Sequence, residues 1–156
     1  MPSHRIAIVE DNRADVQLIE EALGERGIVH ELRWYPDAER ARSDLTGASA
    51  WTPDLVLLDL NLPGVGGLEL MRCLRREPHL ARIPFAVMSS SDLPEAVREA
   101  RRAGASRFIV KPATLDEFFG AVGGAISELL APEGDLGRAG EDQGLSRSPA
   151  RSNSPA

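Results

Sequence analysis

Residues 55–67 read LVLLDLNLPGVGG, and the architecture of the chain can be built outward from them. The first four are aliphatic and run without a polar break into Asp59. A strand with one wet face alternates apolar and polar side chains, so a continuous run predicts a strand covered on both faces. We read this strand as Asp54–Leu60, broken only by Asp59.

The same grammar repeats on either side. Upstream, Arg5–Glu10 reads as a buried strand, and Arg13–Arg26 as a helix with Val16, Ile19 and Leu23 on one face. Asn12 suits its N-cap and Gly27 its stop. His30–Tyr35 suits a second strand and Asp37–Leu45 a second helix. Downstream, Gly67–Arg76 reads as a helix ending before Pro78. Pro84–Ser89 is a strand, Leu93–Ala103 a helix stopped by Gly104, Arg107–Val110 a fifth strand, and Leu115–Leu130 the last helix. Strands alternating with helices predict an α/β fold with a parallel sheet covered on both faces.

Composition agrees. The chain has 156 residues, room for one ordinary domain, with 42% hydrophobic and 27% charged residues. Aromatics are only 4%, so the core must be aliphatic. A net charge of -6 argues against nucleic acid as a partner. Cys73 is the only cysteine, which excludes an intrachain disulfide. The first apolar run, Ile6 to Val9, is too short for a signal peptide, and no stretch has the length of a membrane span. These readings predict a cytoplasmic protein without membrane contact. Pro132–Ala156 is rich in Gly, Pro, Ser and charge and is expected to be a flexible tail.

The polar residues fall at one end of this frame. Glu10 and Asp11 close the first strand, Asp59 ends the third, Ser89 ends the fourth, and Lys111 ends the fifth. Lys111 is the only lysine; every other cationic side chain is arginine. Ligands of open parallel sheets bind outside the carboxyl ends of the strands, and in the doubly wound order 2-1-3-4-5 strands one and three are neighbours. The three acids then converge. Carboxylates gathered in one crevice repel one another unless a cation compensates, and Mg²⁺ suits one or two carboxylates plus waters and phosphate oxygens. Lys111 adds a point charge on a long stem, and Ser89 a hydroxyl. Such a cradle suits phosphoryl transfer, with Asp59 as the in-line nucleophile. An acid pair, a loop serine or a lysine before proline is alone most often a surface feature; their convergence from separate strands carries the signal.

IVEDN at 8–12, LVLLDLNLPGVGG at 55–67, VMSSS at 87–91 and FIVKP at 108–112 resemble the receiver domains of two-component response regulators. The resemblance covers about residues 4 to 130. EDNRADVQLI, REPHLARIPFAVMSSS and KPATLDEFF look like the stand-alone receivers that partner phytochrome-type sensor kinases. It implies a flavodoxin-like (βα)5 receiver domain over residues 1–131, with residues 132–156 as the tail. Asp59 would be the phosphoacceptor. Glu10 and Asp11 would hold Mg²⁺ (or Mn²⁺) with Asp59 and the backbone carbonyl of Asn61, Asp11 directly and Glu10 through water. Ser89 would bond the acyl phosphate and Lys111 would pair with it. Ser89 and Phe108 would form the switch, although Phe108 also reads as a plain core aromatic. Pro112 would carry a cis Lys-Pro bond. Ser90, being small, would keep the approach to Asp59 open, and Asn61 and Ser91 would tune the lifetime of the phosphoryl group. Many receivers carry an acid where this chain has Gly66, which implies a looser loop.

The implied function is a phosphorylation switch, not an enzyme, fed by a sensor histidine kinase. Its output would run through protein contact, a phosphorelay or a role as phosphate sink, with the fourth helix, fifth strand and fifth helix as the output surface and a homodimer through that face as one form such contact could take. Three other functions compete. An aspartyl phosphohydrolase needs an acid two residues after the nucleophile, where Asn61 stands. A receiver-like module that is never phosphorylated would have lost part of the set. A flavodoxin-like nucleotide binder would not place EDNRAD against an anionic ligand.

Overall fold

The aliphatic run at 55–58 becomes the centre of the sheet because it can be buried on both sides. In the computed structural model, which describes residues 3–64 and 66–131, the order of elements is β1 (His4–Val9), α1 (Arg13–Glu25), β2 (His30–Tyr35), α2 (Ala38–Leu45), β3 (Leu55–Asp59), α3 (Gly67–Arg75), a 3-10 turn (Pro78–Leu80), β4 (Phe85–Ser89), α4 (Pro94–Ala103), β5 (Arg107–Val110) and α5 (Leu115–Leu130). The five strands are parallel in the order β2-β1-β3-β4-β5. All five residues of β3 and of β4 are buried.

The period-2 pleat sorts the side chains into two cores. Ala7, Val9, Val56, Leu58, Phe85 and Val87 face α2, α3 and α4. Ile6, Ile8, Leu55, Leu57, Ala86 and Met88 face α1 and α5. The expected tail at 132–156 lies outside the described residues, as does Val65 of the loop expected to be loose.

The element ends follow local chemistry. Asn12 caps α1 by accepting the Ala14 N–H at 2.9 Å. Asp37, expected inside the second helix, is instead its N-cap and accepts the Arg40 N–H at 2.8 Å. Gly104 ends α4 at φ 117, a left-handed conformation that glycine adopts without strain. The 3-10 turn had no signal beyond Pro78, because three residues carry no readable period.

One arginine ties the lower half of this scaffold. Arg75, at the end of α3, donates through Nη1 to the carbonyls of Leu80, Ala81 and Ile83 at 3.0, 3.2 and 2.7 Å. Its Nε and Nη2 donate to the Gly104 carbonyl at 3.2 and 2.6 Å. Its guanidinium carbon lies 4.2 Å from the centroid of the Phe85 ring. Burial lowers its pKa from the ordinary arginine value.

Candidate functional site

The carboxyl ends of β1, β3, β4 and β5 open on one side of the sheet, and the residues that follow β1 and end β3 build the crevice there. Register explains the convergence. β1 and β3 are neighbours, with Val9 opposite Leu58, so Glu10 and Asp11 follow directly beside Asp59. The ladder continues past the strand ends: the Glu10 N–H donates to the Tyr35 carbonyl at 3.0 Å, Leu60 N–H to Met88 at 2.8 Å, and Lys111 N–H to Ser89 at 2.8 Å. A Cβ at Gly67 would lie 2.7 Å from the Asp59 carbonyl oxygen and from the Leu60 Cα. Glycine there lets α3 start tightly against the end of β3.

Glu10, Asp59 and Ser89 are the buried polar residues among those described, with exposures of 0%, 2% and 4%. Glu10, Asp11 and Asp59 each offer a carboxylate oxygen within 4.8 Å of the others. Asp11 is exposed and forms the open side of the group. The donors are all oxygen, which suits a hard divalent cation. Around them stand Glu10, Asp11, Asp15 and Asp59 against one ammonium, Lys111, so the crevice holds more carboxylates than cations. A divalent ion fits that excess.

Each carboxylate has a defined partner. Asp59 accepts the Asn61 backbone N–H on Oδ1 at 2.8 Å and the Lys111 ammonium on Oδ2 at 2.9 Å. Glu10 accepts the Asn12 N–H on Oε2 at 3.0 Å and Lys111 on Oε1 at 3.3 Å. Its own carbonyl accepts the Trp34 indole N–H at 2.6 Å, which steadies the turn out of β1. Burial is the strongest influence on Glu10 and raises its pKa from 4.5 to about 8; the Asn12 N–H opposes the rise and the Asp59 charge adds to it. For Lys111 burial works against the charge, but the bonds to Asp59 and Asp15 and the charge of Glu10 outweigh it. They hold the ammonium above the ordinary lysine value.

The structure thus brings together Glu10, Asp11, Asp59 and Lys111. Ser89 ends β4, and its Oγ accepts the Ser91 N–H at 3.1 Å, which leaves the hydroxyl proton free to donate. Asn61 Oδ1 accepts the Ser90 backbone N–H at 3.2 Å and its hydroxyl at 3.4 Å, linking the loops after β3 and β4. Phe108 lies partly buried against the core beneath α2, α3 and α4. One expectation is corrected: no peptide bond among the described residues is cis, so Lys111–Pro112 is trans. Trans is the isomer that X–Pro bonds favour by about 0.5–1 kcal/mol, and Lys111 reaches Asp59 from it.

Asp15 was not anticipated. It lies in the first turn of α1 and accepts Lys111 Nζ at 3.1 Å. The signal available was its place: Asp15 falls in the first turn of the helix that starts directly after Glu10, Asp11 and Asn12, and so at the same end of the sheet.

Comparison with known proteins agrees with this frame. Residues 6–123 match the response regulator receiver domain. The chain is 32% identical over 133 residues to the response regulator Rcp1 of Synechocystis sp., covering 83% of this chain and 90% of Rcp1. It is similar to the crystal structure of the phosphorylated cyanobacterial phytochrome response regulator RcpA, with a TM-score of 0.75, 35% identity and coverage of 83% of this chain and 96% of that one. The Mn²⁺-bound form of Rcp1 superposes with a TM-score of 0.74 at 32% identity over the same shares. A match over most of the described chain, on a sheet of the same order and with the acidic crevice at its carboxyl end, means that the chain belongs to the response regulator receiver domain family.

Proposed function

We propose that this receiver is a phosphorylation switch in which Asp59 takes a phosphoryl group from the phosphohistidine of a sensor histidine kinase. The observation that carries the reading is the setting of Asp59. It is 2% exposed, held on one oxygen by a backbone N–H and on the other by Lys111, beside two further acids. A merely structural acid would also take an N–H and a cation, but it would not gather two further acids beside it.

In the reaction an Asp59 carboxylate oxygen bonds to phosphorus as the donor's P–N bond breaks, and the electron pair leaves with the imidazole. Charge spreads over the phosphoryl oxygens in such a transfer. Lys111 supplies a fixed positive charge to one of them, and the Ser89 hydroxyl donates to another. The Asn61 N–H keeps the acceptor carboxylate oriented. Glu10, Asp11, Asp59 and the Asn61 carbonyl would hold Mg²⁺, or Mn²⁺, which when bound neutralises the crowded acids and the incoming phosphoryl charge.

The fourth helix, fifth strand and fifth helix form the output face in this reading. Leu93, Val110 and Leu115, at 63%, 40% and 53% exposure, supply apolar contacts at the ends of those elements for a protein partner or a second copy. Among the described residues no helix is long and apolar enough to cross a membrane. We assign the protein to the cytoplasm, with a kinase of the phytochrome type as its donor by analogy with RcpA.

Metal removal tests the reading. Incubation with a small-molecule phosphodonor and Mg²⁺ is expected to raise the intact mass by roughly 80 Da, and a chelator in excess is expected to abolish the gain. An equal gain in chelator contradicts the metal-assisted acceptor.

A further inference from the structure

Lys111 is saturated. An ammonium has three hydrogens to donate, and Lys111 Nζ spends them on Asp59 at 2.9 Å, Asp15 at 3.1 Å and Glu10 at 3.3 Å. None remains for a phosphoryl oxygen. If Asp59 becomes an acyl phosphate, its own seat on Lys111 passes to the phosphoryl group, and any further bond from the ammonium to that group requires the release of Glu10 or Asp15.

The three seats differ in what release costs. Glu10 is fully buried and keeps only the Asn12 N–H if Lys111 leaves. A buried acceptor stripped of a partner is expensive. Asp59 is the group being modified. Asp15 stands on another element, α1, and its side chain is 21% exposed, so water can replace Lys111 there. Asp15 is therefore the seat that Lys111 gives up most easily. It also stays charged after release, within reach of the ammonium that a phosphoryl oxygen now shares. A negative charge there repels the phosphoryl group and favours its loss.

We propose that Asp15 is a positioning residue that competes with the phosphoryl group for Lys111 and so shortens the life of the phosphorylated state. The inference rests on the reading of Asp59 as acceptor. It makes the chain's phosphoryl lifetime a property of α1 as well as of the residues that flank the acceptor.

The test is the first-order loss of the phosphoryl group from the full chain after the donor is removed, followed by intact mass. Asp15→Ala is expected to lengthen the half-life roughly three- to tenfold. Asp15→Asn, which keeps the shape and removes the charge, is expected to lengthen it in the same direction, and guards against a packing defect. In a Lys111→Met background the Asp15→Ala ratio is expected to fall to about one, because the competition has lost its object. A structural role for Asp15 would act in both backgrounds. A second readout needs no phosphorylation. Lys111 is the only lysine, so isotope-labelled lysine gives a single side-chain ammonium signal; its proton exchange is expected to quicken in Asp15→Ala. An unchanged or shortened half-life in a wild type that does take the group overturns this inference alone. A wild type that takes no group overturns the proposed function and this inference together, while the lysine signal still reports on the pairing itself.

Discussion

Lys111→Ala is expected to destabilise the metal-free protein by about 2–4 kcal/mol, to slow phosphoryl capture roughly 10²-fold, and to recover much of its stability in Mg²⁺. The substitution removes the one cation that three carboxylates share, two of them almost fully buried. Breaking a fully buried pair costs about 3–5 kcal/mol, and the 23% exposure of Lys111 puts this site somewhat below that range. The loss has a definite pH dependence. Burial raises the Glu10 pKa to about 8 from 4.5, so folding takes up a proton between those values. That contribution is complete below about 4.5 and is lost as pH rises through 8. The metal-free wild type is therefore expected to melt lower at pH 9 than at pH 6, and Lys111→Ala to widen the difference, since Glu10 then ionises with no cation beside it. Thermal unfolding in chelator, with and without added Mg²⁺, checks both. A variant as stable as the wild type at pH 9 in chelator contradicts the account. Lys111→Arg is expected to restore stability in part and capture hardly at all, because a planar fork cannot meet acids that lie on β1, β3 and α1 sides of one point.

Arg75→Leu is expected to cost about 3–4 kcal/mol and to lower the urea midpoint without changing the m-value. Four carbonyls lose their donor at once: Leu80, Ala81 and Ile83 in the turn before β4, and Gly104 after α4. The ring of Phe85 loses the charge stacked on it. Three of the four carbonyls lie along the connection that delivers β4, so part of the loss is expected to reach Ser89 as slower capture. A shift below about 1 kcal/mol would mean that water replaces the guanidinium freely.

The sheet was legible because its signals were redundant. The unbroken run at 55–58 announced a strand buried on both faces, and Asn12 and Gly104 marked helix ends that the structure keeps. Element ends moved by a residue where capping decided the matter, as at Asp37. Glu10, Asp11, Asp59 and Lys111 were legible for a topological reason: each follows or ends a strand, and parallel strands point their ends one way. What stayed hidden was chemistry between elements that sequence order separates. Asp15 looked like one more solvated acid on a helix that also carries Glu20, Glu21 and Glu25. Arg75 was one of several arginines near the end of α3, and nothing in the spacing distinguishes it from the exposed Arg72 and Arg76. The bond from Asn61 to Ser90 spans two loops whose approach depends on the β3–β4 register. The isomer of Lys111–Pro112 is likewise a property of the folded loop, and here it is trans.

The central claim is that Asp59 receives the phosphoryl group, and the measurement that addresses it most directly is the site of the added mass. Wild type and Asp59→Asn would be incubated side by side with phosphodonor and Mg²⁺, weighed intact, and digested to find the modified peptide. The account predicts a gain of roughly 80 Da in the wild type, carried by the peptide that contains Asp59, and no gain in Asp59→Asn. A gain of the same size and rate in Asp59→Asn, or a wild-type label on another peptide, would contradict it.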